Sequence, residues 1–266
     1  MLQLEFAQIS DQGRIRDHNE DYLGHAAPRS EQEARSHGWL FALADGVGGQ
    51  DRGEVASNLA VEHLISGFRE ANGSEPLPAL LSRLIQGANG KVFDAGLSCS
   101  TARTQMATTI VACAIRFDRA AVAHAGDSRC YLVRQGFAAA LTRDHTVGNE
   151  QLRLGLITAR EASNGSTAHL LSRAVGNEMF LSVETSEHQI FAGDALLLCS
   201  DGLHRSVAPE DMAGIVTADP SPEAAARELV ALANVRDGSD NISVQVIRVR
   251  SVERVGMYRG RYYKIH

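Results

Sequence analysis

The spacing of apolar and polar positions changes along this chain, and the changes mark its elements. Leu2-Gln3-Leu4-Glu5-Phe6 alternates with the two-residue period of a half-buried strand. Asp11-Gln12-Gly13 predicts a turn, and a second strand-like stretch runs from Ile15 toward Gly24. Residues 28–37 are polar and read as a loop. Residues 39–44 form a short apolar run stopped by Asp45-Gly46, the pattern of a buried strand. Two helices follow. Val55, Leu59, Leu64, Ile65 and Phe68 share one face of the first, and Leu77, Leu80, Leu81, Leu84, Ile85, Ala88 and Val92 share one face of the second. Strands resume over 107–117, and 122–133 reads as a hairpin around Gly126-Asp127-Ser128-Arg129. Gln135-Gly136 starts a further turn. Residues 145–162 predict a helical insert broken by Ser163-Asn164-Gly165-Ser166. Strands are expected at 181–190 and 195–199, a helix at 222–235 and a last strand at 242–249. This order suits antiparallel sheets covered by helices better than a regular strand–helix alternation.

Charge narrows the function classes. The chain has 266 residues, with 26 Lys and Arg against 32 Asp and Glu, a net charge of −6. That balance speaks against general nucleic-acid or membrane-surface binding, since anionic partners are repelled. The first ten residues carry neither the basic start nor the apolar run of a secretory leader, and no apolar stretch approaches a membrane span. Of the four cysteines, Cys99, Cys113, Cys130 and Cys199, none forms a CxxC pair. Buried thiols in a reducing compartment, hence a cytoplasmic protein, are expected. The tail after Val249 carries Arg250, Arg254, Arg259, Arg261 and Lys264 among three tyrosines, and reads as a terminal extension.

The candidate chemistry lies where apolar runs end. Three strands run into Asp45-Gly46, Gly126-Asp127 and Asp201-Gly202, and Asp240 stands just before the last strand. One such aspartate is usually only a turn residue. Four at the rim of one sandwich can converge, and converging carboxylates call for a hard cation such as Mg²⁺ or Mn²⁺. Zinc is disfavoured by the absence of HExxH and of paired Cys/His spacing. Arg16, with Glu20 and Asp21 close behind, could join a phosphate clamp to that site, although a solvated strand edge explains the spacing as well.

Eight stretches in order decide between these readings. GRIRDHNED, ALADGVGGQDRGEVAS, MATTIVACAI, AHAGDSRCYLV, LTRDH, LLSRAVGN, LLLCSDGL and SDNISVQVI resemble the signatures of the metal-dependent serine/threonine protein phosphatases, the PPM or type 2C family, in its compact bacterial form. The resemblance implies an α+β fold, a four-layer α-β-β-α sandwich with two antiparallel sheets flanked by helices. It implies a catalytic domain over 1–249 with a flap at about 145–175, followed by the basic, aromatic extension 250–266. It also implies a pair of Mn²⁺ or Mg²⁺ ions and hydrolysis of phosphoserine and phosphothreonine by the hydroxide bridging them. Carried over by position, Asp45 would bridge the ions, the Gly46 carbonyl would bind one, and Asp201 and Asp240 would complete the ligands. Asp127 would help hold a third, weaker ion with Asp201, Glu20 and Asp21 would act through waters, and Arg16 would hold the substrate phosphate. No separate organic cofactor is implied. Phosphorylated proteins would be the substrates and a bacterial Ser/Thr kinase the counterpart.

Two departures bear on this expectation. Relatives often carry a histidine at the position of Val47 or of Gln50, and this chain has neither, so the proton donor to the leaving group stays unassigned. The flap sequence identifies no substrate. Two alternatives remain at this stage: a pseudophosphatase binding module that regulates a partner, and a hydrolase of small phosphate esters or nucleotides. The second is weakened by the absence of a P-loop lysine near Gly48-Gly49 and of a GxGxxG motif.

Overall fold

The computed structural model describes residues 1–47, 52–98, 106–218, 221–258 and 261–264. Gly48, Gly49, Gln50, Cys99 and Arg259, all singled out above, lie outside them. The described elements, in chain order, are β1 (Gln3–Asp11), β2 (Asp21–Ala26), α1 (Glu31–Ser36), β3 (Trp39–Asp45), α2 (Gly53–Glu70), α3 (Leu77–Ser98), β4 (Ile110–Arg116), β5 (Arg119–Ala125), β6 (Arg129–Arg134), β7 (Phe137–Ala140), α4 (Val147–Arg153), α5 (Ala159–Asn164), β8 (Glu184–Gln189), β9 (Ala195–Cys199), α6 (Asp201–His204), α7 (Pro209–Ala218), α8 (Pro222–Arg236), β10 (Ile242–Ser251), β11 (Val255–Tyr258) and β12 (Arg261–Lys264). One sheet has the order β1-β10-β9-β6-β7 and the other β2-β3-β4-β5-β8, antiparallel throughout, while β11 and β12 form a small hairpin.

Three apolar layers hold these elements in the order helix, sheet, sheet, helix. Phe41, Leu43, Val111, Cys113, Val122, Leu196, Leu198 and Ile247 fill the space between the sheets. The intervening residues face outward and are also covered. Leu40, Ala42, Ala44, Ala112 and Ala114 meet α2 and α3, whose stripe includes Leu64, Phe68, Leu81 and Ile85. On the other sheet, Leu197, Val244 and Val246 meet α7 and α8 through Met212, Val216 and Leu229. Strands covered on both faces need no polar alternation, which is why β3, β4 and β9 read as unbroken apolar runs. The many alanines on the helix-facing side of β3, β4 and β5 let α2 and α3 lie close against the sheet.

Several sequence expectations are corrected. Residues 12–20 are a loop and not part of a strand. The loop is held by side chains: the Asn241 amide donates to the carbonyls of Gln12 and His18, both at 2.9 Å, and its oxygen accepts from the Glu20 N–H at 2.9 Å. Residues 28–37 contain α1, which Ser30 caps by accepting from the Glu33 N–H. Gly126–Arg129 is not a hairpin turn. β5 pairs with β4 and β8, whereas β6 pairs with β9 and β7, so the chain crosses here from one sheet to the other. Gly126 makes the crossing at φ +112°, where a Cβ would fall 2.6 Å from Cβ of Thr109. The insert at 145–162 is two short helices, α4 and α5, rather than one. α7 was not anticipated, because only Met212, Ala213 and Val216 of its ten residues are buried. The extension contains the β11–β12 hairpin, and β10 itself runs past Val249 to Ser251.

Candidate active site

Asp45 ends β3, and its backbone is fixed on both sides. Its N–H donates to the Thr109 hydroxyl at 3.0 Å, and its carbonyl accepts from the Thr109 N–H and the Thr108 hydroxyl, each at 2.8 Å. The Thr109 hydroxyl also bonds that of Ser128 at 2.7 Å, tying β3 to the crossing that carries Asp127. Gly46 donates to the Glu20 carbonyl at 3.1 Å. A Cβ there would stand 2.5 Å from the Gly53 carbonyl carbon and 2.8 Å from the Glu20 oxygen, so glycine is required by contact. Asp21 lies opposite Asp45 in the β2–β3 register. Asp201 opens α6 directly after β9. Asp240 precedes β10, where one of its oxygens accepts from the Asn241 N–H at 2.9 Å.

These positions converge. Arg16, Asp45, Gly46, Asp127, Asp201 and Asp240 line one cavity of about 340 Å³ at an end of the sandwich. Glu20 and Asp21 do not line it. Asp21 is buried directly behind the lining, and the Glu20 carboxylate lies against Gly53, where a Cβ would stand 2.6 Å from Oε1. Much of the remaining lining is apolar: Val47, Ala107, Leu170, Leu171 and Ala174, with His169, the one histidine among the described residues that lines the cavity. Residues 169–174 belong to the insert, which rejoins the body through paired bonds between Thr108 and Val175 at 3.0 and 2.8 Å.

The electrostatics of the cluster are unbalanced. Burial, then repulsion from Asp21, Asp201, Asp127 and Asp240, raises the Asp45 carboxyl well above its ordinary range. Burial pushes Asp21 up to about 7, with Asp201 and Asp240 adding to the shift. The Ser200 and Ser243 hydroxyls lie close enough to oppose this shift, but both are engaged elsewhere. Ser200 takes the Ser243 N–H and faces the Asn241 carbonyl, and Ser243 bonds Ser10, so among the described residues neither Asp21 oxygen has a hydrogen-bond partner. Asp127 also rises to about 7, through burial and then Asp201 and Asp144, against the pull of Arg205. Asp201 is raised by burial despite Arg205, and its Oδ1 is buried without a partner.

Three orphaned oxygens among mutually repelling carboxylates fit a hard divalent cation, which would satisfy the lone pairs and the charge together. Arg16 is in place at the rim but is held by Asp240, with Nε to Oδ1 and Nη2 to Oδ2 both at 2.9 Å. Asn241 was missed by the sequence reading because a buried asparagine beside an aspartate carries no periodic signal. It is the anchor of the Arg16 loop. Asn241→Ala leaves one buried N–H and two carbonyls unsatisfied and should cost about 2–4 kcal/mol in urea unfolding. It should also raise KM for a phosphopeptide, because Arg16 loses its support.

A second cluster lies outside the cavity. Ligand atoms of His124, His145 and Glu184 fall within 4.8 Å of one another, close enough to hold an ion. Two guanidiniums already contact them: Arg143 lies 3.1 Å from Glu184, and Arg173 lies 3.3 Å from His145. The stacked imidazoles, 4.5 Å apart, sit where the insert leaves the β5–β6 crossing, and His145 accepts from the Gly126 N–H at 3.3 Å. The cluster therefore fastens the insert to the crossing.

Comparison with known proteins agrees with this architecture. A profile of the family described as Protein phosphatase 2C matches residues 8–242. The chain is 34% identical over 255 residues to the serine/threonine phosphatase stp of Listeria innocua, covering 95% of this chain and 96% of that one. The structure of the S. agalactiae serine/threonine phosphatase superposes with a TM-score of 0.82 at 30% identity, covering 93% of this chain and all of that one. The catalytic domain of the serine/threonine protein phosphatase PstP, solved with two manganese ions, superposes with a TM-score of 0.79 at 32% identity, covering 94% and 99%.

Proposed function

The chain belongs to the protein phosphatase 2C family, and from that premise we propose that it hydrolyses phosphoserine and phosphothreonine in proteins, with Mn²⁺ or Mg²⁺ as resident ions. The observation that carries the reading is the single cavity shared by Asp45, Asp127, Asp201, Asp240 and Arg16, with partnerless carboxylate oxygens in and directly behind its wall.

Asp45, the Gly46 carbonyl, Asp201 and Asp240 are the groups that would hold two ions, with Asp21 and Glu20 behind them. When bound, such ions place charge against phosphoryl oxygens and lower the pKa of water from 15.7 toward about 7. The chain itself binds and orients. The Arg16 guanidinium, at the rim, can turn its paired donors from Asp240 to a phosphoryl group, a bidentate match that a lysine would not reproduce. Leu170, Leu171 and Ala174 offer an apolar surface for the aliphatic part of the substrate side chain. The backbone bonds of Thr108 and Thr109 hold Asp45 without relying on the substrate. No serine or cysteine nucleophile is needed: burial pushes the Cys199 thiol up to about 12.

The same reading extends to the setting of the enzyme. We assign residues 1–249 to the catalytic domain, about 145–175 to a flap and 250–266 to an extension; the paired attachment at Val175 supports the flap's carboxy-terminal boundary. A cytoplasmic location is supported by the buried free thiols Cys113, Cys130 and Cys199. No helix among the described residues is long and apolar enough to cross a membrane. A Ser/Thr kinase making the phosphoproteins is the expected counterpart. No observation favours the pseudophosphatase alternative, since every expected carboxylate is present. The test is turnover of a phosphothreonine peptide with Mn²⁺ and with excess chelator. Manganese-dependent release of phosphate is expected, and full activity in chelator would overturn the reading.

A further inference from the structure

The acidic cavity already contains cations of its own, and they are unevenly distributed. Arg16 is taken by Asp240. Arg129, which lines the neighbouring cavity under the insert and not this one, is held by Asp144 through two bonds of 2.7 Å. Arg205 points between two members of the cluster: its Nη2 lies 2.6 Å from Asp201 Oδ2 and 3.5 Å from Asp127 Oδ2. Asp45 and Asp21 are met by no salt bridge among the described residues, and the second oxygen of Asp201, Oδ1, has no cationic partner there, the Asp45 carboxyl lying beside Asp201. Asp201 is thus divided, with one oxygen on a guanidinium and the other turned to unneutralised charge.

Arg205 reaches this position through local geometry. It follows the single turn α6, four residues after Asp201, and its N–H donates to the Asp201 carbonyl at 3.0 Å. The side chain therefore returns along the same face as the carboxylate it pairs with. Its partner Asp127 is fixed from behind, where His204 Nε2 donates to the Asp127 carbonyl at 2.9 Å. Arg205 also stands in the wall between the acidic cavity and a second, polar cavity of about 420 Å³ under the insert, lined by Asp144, Asn149 and His204 among others. Both carboxylates are nearly enclosed, so a charge at this point is poorly screened by water.

We infer that Arg205 is the permanent counter-ion of the Asp127–Asp201 pair. It fills with a side chain the place that a further divalent ion would take, so this centre loads two ions and not three. The inference rests on the metal-dependent reading above. Arg205 acts on the centre as a positioning residue, holding Asp201 Oδ2 so that Oδ1 faces Asp45. With Arg205 removed, the freed oxygens of Asp127 and Asp201 would accept an additional ion.

Equilibrium dialysis against Mn²⁺ up to about 1 mM, with bound metal counted by elemental analysis, tests this. The native chain should hold two ions and Arg205→Met three. Arg205→Gln carries the same expectation and guards against failure of the methionine variant to fold. Without metal, either variant should melt below the native chain, because the carboxylate pair has lost its one salt-bridge partner among the described residues, and Mn²⁺ should recover most of that difference. Three ions in the native chain, or two in a folded Arg205 variant, would overturn this inference while leaving the phosphatase reading intact. No uptake by the native chain would overturn both.

Discussion

Asp45→Asn should lower kcat/KM by about 10³-fold or more with saturating Mn²⁺, equivalent to about 4 kcal/mol of transition-state stabilisation. The same substitution should raise the melting temperature of the metal-free protein. The two effects share one cause. Asp45 ends a strand whose middle five residues are buried, faces four other carboxylates and is met by no described salt bridge. In the active enzyme its charge is wanted, because the ions require it. In the empty protein that charge is an uncompensated cost, which an amide of the same shape removes. The backbone bonds to Thr108 and Thr109 do not involve the side chain, so the strand end should keep its place. Thermal melting in chelator and steady-state kinetics in Mn²⁺ measure the two halves. Retained turnover, or a large fall in the metal-free melting temperature, would contradict this account of Asp45.

The stabilisation conferred by Mn²⁺ should grow steeply between about pH 5 and pH 8. The sign follows from the carboxyls. Asp21 and Asp127 titrate near 7 in the folded, metal-free protein and near 3.8 when unfolded. Between those values the folded state retains protons that the unfolded state has released, so these groups destabilise the metal-free fold progressively as pH rises through the window. Ions must displace those protons at low pH and need not at high pH. His145 and His204 act in the opposite direction, since burial holds them at about 4 and about 3 and they gain nothing by charging. Neither belongs to the expected ligand set, so the carboxyls set the difference between the Mn²⁺ and chelator melting curves. At a hundred-fold excess over the dissociation constant each ion adds about 2.7 kcal/mol. A gap between the curves that stays constant from pH 5 to 8 would show that the carboxyls are not where the ions go.

Much of the site was legible because its aspartates stop strands. Asp45, Asp127 and Asp201 each end an apolar run, and that local signal survives in the fold as a common rim. The sandwich was legible for a related reason: both sheets are covered on both faces, so strands and amphipathic helices differ sharply in pattern. What stayed hidden depends on pairings between distant segments. The loop 12–20 resembles a strand until Asn241, more than 200 positions away, is seen holding it. The crossing at Gly126 has the local chemistry of a hairpin turn, and only the pairing of β5 with β8 and of β6 with β9 distinguishes the two. Arg205 drew no expectation from the sequence, because no spacing rule points an arginine at Asp127.

The first and last strands of the main sheet are partners, and Arg16 meets Asp240 across 224 positions. During synthesis, the amino-terminal edge must therefore wait for more than two hundred further residues before the pocket can close. A nascent chain halted anywhere before Asp240 would have no working centre, however well its earlier layers had collapsed. The cell would receive this activity only from finished molecules, and at the slow pace that long-range strand pairing sets.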